Sequence, residues 1–211
     1  MPVLRRLLLA AVATALVVGC GVALRGGEPE PEQVSAASTP LSSYDTSRVT
    51  ILRTSFCERV PDEAVEEALG AAPEDATDYG NGDRVRLAPK VRDLAHEFGC
   101  TWTAGGTTAA AWVYTPPVPR PLAATLLQQA RSASSCSAVP DAPAYGEPSA
   151  ALVCTTERAT EFSFRGLFGD AWLTCSLRST TVFAGQSSKD SLDRVGRWCV
   201  AVARAAADEG A

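Results

Sequence analysis

Residues 150–179 read AALVCTTERATEFSFRGLFGDAWLTCSLRS, and this stretch decides the fold class. Phe162 and Phe164 alternate with Ser163 and Arg165. Trp172, Thr174 and Ser176 then alternate with Leu173, Cys175 and Leu177. Successive side chains on a strand point to opposite faces, so a period of two marks strands. The pattern predicts three of them, over 150–156, 161–167 and 171–179. Gly169-Asp170 makes the tight turn between the last two, because glycine at the first central position suits a type II′ hairpin.

Working outward, two more strands are predicted upstream, over 91–103 and 109–115. The first ends in Phe98-Gly99-Cys100-Thr101-Trp102, and Gly105-Gly106 marks the turn between them. On the second, Trp112 and Tyr114 share one side and Val113 the other. A helix is predicted over 61–69. Pro61 suits its first turn, Asp62 and Glu63 its positive end, and Gly70 its stop. Residues 73–90 are polar and contain glycine, which predicts a loop. Pro116, Pro117 and Pro119 precede a helix over 121–133, with Leu122, Leu126 and Ala130 aligned. A loop with three prolines covers 139–149. The last helix opens at Ser187-Ser188-Lys189-Asp190, which resembles a capping box, and continues with Leu192, Val195, Cys199, Val202 and Ala206 at helical spacing. Hairpin-joined strands with helices set apart predict an α+β domain: an antiparallel sheet of about five strands with helices packed on one face.

The first residues carry an export signal. Arg5 and Arg6 precede an apolar run from Leu7 to Val18, then Gly19 and Cys20. The run is short for a membrane span, which needs about 20 apolar residues. A cysteine after a small residue resembles a bacterial lipobox, where the thiol receives diacylglycerol and the peptide is cut before it. This predicts a signal peptide over 1–19 and lipid on Cys20. A flexible Gly-, Pro-, Glu- and Ser-rich linker over 20–46 and a single domain over 47–211 follow. The expected place is the extracytoplasmic face of the cell membrane, held through that lipid.

Cutting before Cys20 removes two arginines and no acid, leaving 17 basic and 24 acidic side chains. That balance argues against nucleic acid as a partner. With Cys20 reserved for lipid, Cys57, Cys100, Cys136, Cys154, Cys175 and Cys199 remain, an even set that reads as disulfides in an exported domain. Six cysteines allow fifteen pairings, and the sequence does not choose among them. The sequential set is preferred: Cys57–Cys100, Cys136–Cys154 and Cys175–Cys199, the last tying a strand to the final helix. No metal site is expected, since there is no CxxC and His96 is the only histidine. No cofactor is expected either.

Cys57 before a short helix ending Leu69-Gly70, followed by Phe98-Gly99-Cys100-Thr101-Trp102, resembles a family of actinobacterial cell-envelope lipoproteins of unknown function. Phe168-Gly169-Asp170-Ala171-Trp172-Leu173-Thr174-Cys175 and Arg197-Trp198-Cys199 resemble the same group. The likeness covers most of residues 50–205. It implies an exported, disulfide-bonded α+β domain with no established activity.

The residues offer little catalytic pattern. There is no G-x-S-x-G, S-x-x-K or phosphate-binding glycine loop. Disulfides and lipid leave no free thiolate. His96 and Glu97 are adjacent, and on a strand they would face opposite ways. Glu63, Glu66 and Glu67 read as a solvated helix face, and Asp190 and Asp193 as groups favouring a helix start. Trp102, Trp172 and Trp198 lie near cysteines and read as core. Trp112 with Tyr114 is the best candidate for a ligand or partner surface. The leading expectation is a non-catalytic binding or interaction domain. The alternatives are an enzyme with an unrecognised site in loops 73–90 or 138–149, and a structural spacer.

Overall fold

The computed structural model describes residues 39–88, 91–181, 183 and 187–207. The signal segment, Cys20 and the first part of the predicted linker lie outside the described residues.

Three α-helices are described: α1 (Asp62–Leu69), α2 (Arg120–Arg131) and α3 (Ser188–Ala206). The strands are β1 (Asp75–Tyr79), β2 (Arg84–Ala88), β3 (Val91–Leu94), β4 (Glu97–Ala104), β5 (Thr107–Tyr114), β6 (Cys136–Ala138), β7 (Ser149–Thr155), β8 (Thr160–Phe168) and β9 (Ala171–Ser179). Seven of them form one sheet in the order β1-β4-β5-β9-β8-β7-β6, and every neighbouring pair is antiparallel. The α+β class therefore holds. The strands predicted from alternation occupy the middle of the sheet, and both glycine turns form. Gly105 and Gly106 take φ of 53° and 79°, and Gly169 takes 63°. Hairpin turns of the primed types need such angles.

The sheet has seven strands rather than about five because its two edges carry no hydrophobic pattern. β1 is Asp-Ala-Thr-Asp-Tyr, exposed except for its half-buried last residue, and joins through backbone pairing with β4. Charged residues on an edge also discourage pairing with a second chain. β6 has three residues, paired to β7 with Cys136 opposite Cys154. The predicted loop over 73–90 is thus largely β1 and β2. The predicted strand over 91–103 breaks at Ala95-His96 into β3, which pairs with β2 in a separate ribbon, and β4.

The main core lies on one face of the sheet. Phe162 and Phe164 of β8 and Leu173, Cys175 and Leu177 of β9 face α1 and α3, which supply Val65, Leu69, Val195, Trp198 and Val202. The ring of Trp198 meets that of Trp102 edge-on, centroids 5.4 Å apart. Such a pair adds about 1 kcal/mol to the area that it buries. Ser187 caps α3: its hydroxyl accepts from the Asp190 N–H at 3.1 Å and donates to the Asp190 carboxylate at 2.7 Å. The aspartate is one carbon shorter than the usual glutamate and reaches the serine hydroxyl. Arg197 pairs with Glu67, and Arg194 donates to the Glu67 carbonyl at 2.9 Å, so α1 and α3 are clamped together. Glu67 is therefore half-buried and engaged, while Glu63 and Glu66 are exposed as predicted.

The helices do not share one face. α2 packs on the opposite side, where Ala123 and Leu127 meet Val118, Ala150, Leu152, Leu167 and Trp172. At this end of the sheet both faces are apolar, so both need a cover. The buried stripe of α2 is turned by one residue from the predicted one. Leu126 and Ala130 are partly buried, and Leu122 is 44% exposed. Packing also begins before residue 47, since Leu41 is buried against the core and Tyr44 lies beside it.

All six cysteines expected to bridge do so, in the sequential pairing Cys57–Cys100, Cys136–Cys154 and Cys175–Cys199. The third joins β9 to α3 with both cysteines fully buried.

Candidate functional site

The face of the sheet opposite the main core is only partly covered, and α2 overhangs it. One transverse row crosses six strands there. Tyr79 pairs with Gly99, Gly99 with Trp112, Trp112 with Thr174, Thr174 with Arg165, and Arg165 with Ala150. Directly opposed residues share a face, so the row sets two aromatic rings, a hydroxyl and a guanidinium side by side.

Beneath α2 this row borders a cavity of about 300 Å³. Trp112, Tyr114, Arg165 and Thr174 line it from the sheet, and Leu126 and Gln129 from the helix. Thr174 is 1% exposed, and its hydroxyl oxygen has no hydrogen-bond partner among the described residues; the same is true of the Arg165 Nε. Buried polar atoms in proteins are overwhelmingly paired; of six such buried side-chain atoms without a partner among the described residues, these two belong to residues that line this cavity. Burial holds the Arg165 guanidinium below its ordinary pKa, opposed by the nearby Glu161 carboxylate and by Tyr114.

A second cavity, of about 360 Å³, adjoins the first. Tyr114 lines both, and α2 walls both, through Leu122 in the second. Leu94, Pro116, Pro117 and Leu122 make its walls apolar, and Leu94 and Leu122 are two of the large apolar side chains left exposed. Glu97 and His96 lie at its edge. They share this cavity although adjacent strand residues face opposite ways, because His96 sits in the bend before β4 begins. Tyr79 donates its hydroxyl to Glu97 at 2.6 Å. Burial raises the Glu97 pKa, and the Tyr79 hydrogen bond offsets part of that rise. Tyr114 is raised by burial and by the Glu97 charge, and Arg165 opposes that rise.

Trp112 and Tyr114 are both half-buried and both border the first cavity. Trp102, Trp172 and Trp198 are buried, and Trp172 also lines the floor of that cavity. Asp190 serves the α3 cap, and Asp193 pairs with Lys189 at 2.6 Å. Within the 139–149 loop Tyr145 is fully buried, its hydroxyl on the Cys199 carbonyl at 3.2 Å. Among the described residues no group of three or more His, Cys, Asp or Glu side chains could hold a metal ion, and no helix is long and apolar enough to cross a membrane. Sequence reasoning passed over Arg165 and Thr174. The available signal was a lone arginine in Phe-Ser-Phe-Arg-Gly-Leu-Phe, on the same alternation as Thr174, with no acid beside it.

No family model matches this chain, and no curated protein matches it.

Proposed function

We propose that this chain is an exported lipoprotein, anchored through lipid on Cys20, whose domain binds an envelope component without chemical conversion in the cleft between α2 and the sheet. The cavity carries the reading. Trp112 and Tyr114 supply flat apolar contact with polar tips, and Arg165 and Thr174 supply buried hydrogen-bonding atoms without a partner among the described residues. Small-ligand sites have this make-up: apolar and aromatic walls with a few placed polar groups. Three disulfides fit an oxidising, extracytoplasmic compartment. Short sequence likenesses to actinobacterial envelope lipoproteins point the same way.

The test has two parts. The chain should take up a labelled fatty acid and Cys20→Ser should not; a parent chain that takes up none overturns the anchor. Native mass spectrometry after incubation with small-molecule envelope extract should show a retained compound. Trp112→Ala should lose it. Retention unaffected by Trp112→Ala, or none at all, overturns binding in this cleft.

A further inference from the structure

The two cavities differ in character and are joined at one residue. The first holds the Arg165 guanidinium and the Thr174 hydroxyl, each with a buried atom that has no partner among the described residues. The second is walled by Leu94, Pro116, Pro117 and Leu122. Tyr114 is common to both. Arg165 forms no ion pair among the described residues, and the acid that influences it, Glu161, lies four positions back on the same strand. A guanidinium presents its donors in a planar fork that fits the oxygens of carboxylate or phosphate. An anion there would also supply the acceptor that the Nε lacks, and the Thr174 hydroxyl would donate to a second oxygen.

The placement of Glu97 gives the site a direction. Glu97 stands at the far end, three strand spacings or about 14 Å from Arg165 across the sheet. A second acidic group at that end would meet a carboxyl, whereas an alkyl or aryl arm would meet leucine and proline. Resting on the cleft reading above, we infer that the ligand is a small amphiphilic anion. Its carboxylate or phosphate head sits on Arg165 and Thr174, and its apolar arm crosses Tyr114 into the Leu94–Leu122 cavity.

Isothermal titration calorimetry tests this on the chain carrying Cys20→Ser, so that no attached acyl group competes. The probes are hexanoate and hexyl phosphate, with acetate and inorganic phosphate as heads alone, hexanol as the arm alone, and hexylammonium as the opposite charge. One or both amphiphilic anions should bind at one site, at least tenfold more tightly than hexanol or hexylammonium; which anion binds separates a carboxylate ligand from a phosphate one. Arg165→Gln should weaken that binding at least tenfold, and Arg165→Lys by less. Leu122→Ser, at an exposed position that leaves the core intact, should weaken the amphiphilic anions and leave the bare heads unchanged. Equal binding of hexanol or hexylammonium, an Arg165→Gln variant that binds as well as its parent, or no binding by either amphiphilic anion overturns the inference. The cleft reading stands or falls separately, on whether an envelope compound is retained and then lost in Trp112→Ala.

Discussion

Arg165 and Thr174 are direct cross-strand partners on β8 and β9, and each has a buried side-chain atom with no partner among the described residues, beside the same cavity. An unmet buried hydroxyl carries a desolvation cost of about 1–3 kcal/mol. Thr174→Val keeps the shape of the side chain and removes that hydroxyl. The variant should be more stable than its parent by about 1 kcal/mol in urea denaturation without ligand. It should also retain the envelope compound less well, as expected where stability is given up for function. A less stable variant would mean that the hydroxyl has a partner in the folded chain.

Gly99 makes room for the ring of Tyr79. A Cβ at this position would overlap the phenol ring of Tyr79, which crosses β4 there to reach Glu97. Gly99→Ala should therefore displace Tyr79 and cost about 1–3 kcal/mol through overpacking. Adding Tyr79→Ala should return most of that loss. A double-mutant cycle measures this coupling, and simple additivity of the two changes would show that the ring does not lie against Gly99.

How far the sequence carries follows from where apolar side chains mark the backbone. β8 and β9 alternate clearly because each has one face on a packed core, and α3 shows its stripe because Val195, Cys199, Val202 and Ala206 are all buried. β1 and β6 carry no such trace, since backbone pairing, the Tyr79–Glu97 hydrogen bond and the Cys136–Cys154 bridge place them rather than an apolar stripe. For the site, Trp112 and Tyr114 stood out by size and alternation. Arg165 and Thr174 did not, because their importance lies in what they lack, and a missing partner is visible only once the strands are in register. Alternation holds only from Glu97, where β4 begins; His96 sits in the bend before it, so both residues reach one cavity.

Glu97 gives the stability of the domain a pH dependence of known sign. Burial raises its pKa in the folded chain above the ordinary value of 4.5. The folded state therefore binds this proton more tightly than the unfolded state does. Its contribution to stability should fall as pH rises from the ordinary value through the raised one, and level off above. Glu97→Gln removes the titration. Urea denaturation across pH 4 to 7 should show the parent losing stability relative to Glu97→Gln over that window, and a parallel trend after it. The opposite slope would mean that the Tyr79 hydrogen bond outweighs burial.

The three bridges should differ in what their removal costs. Cys136 and Cys154 join the edge strand β6 to its neighbour β7, and both are at least partly exposed. Cys175 and Cys199 are fully buried and hold α3 against the centre of the sheet. The chain-entropy contributions are close, about 3 kcal/mol for loops of 18 and 24 residues. Packing decides between them. Replacing Cys175 and Cys199 together by alanine also opens space where Phe164, Leu173, Val195 and Trp198 belong to the same core, at a further cost that scales with the cavity left. That double variant should lose clearly more stability in urea than Cys136→Ala with Cys154→Ala. Equal losses would show that loop closure alone sets the value of both bridges and that α3 is held to the sheet without its disulfide.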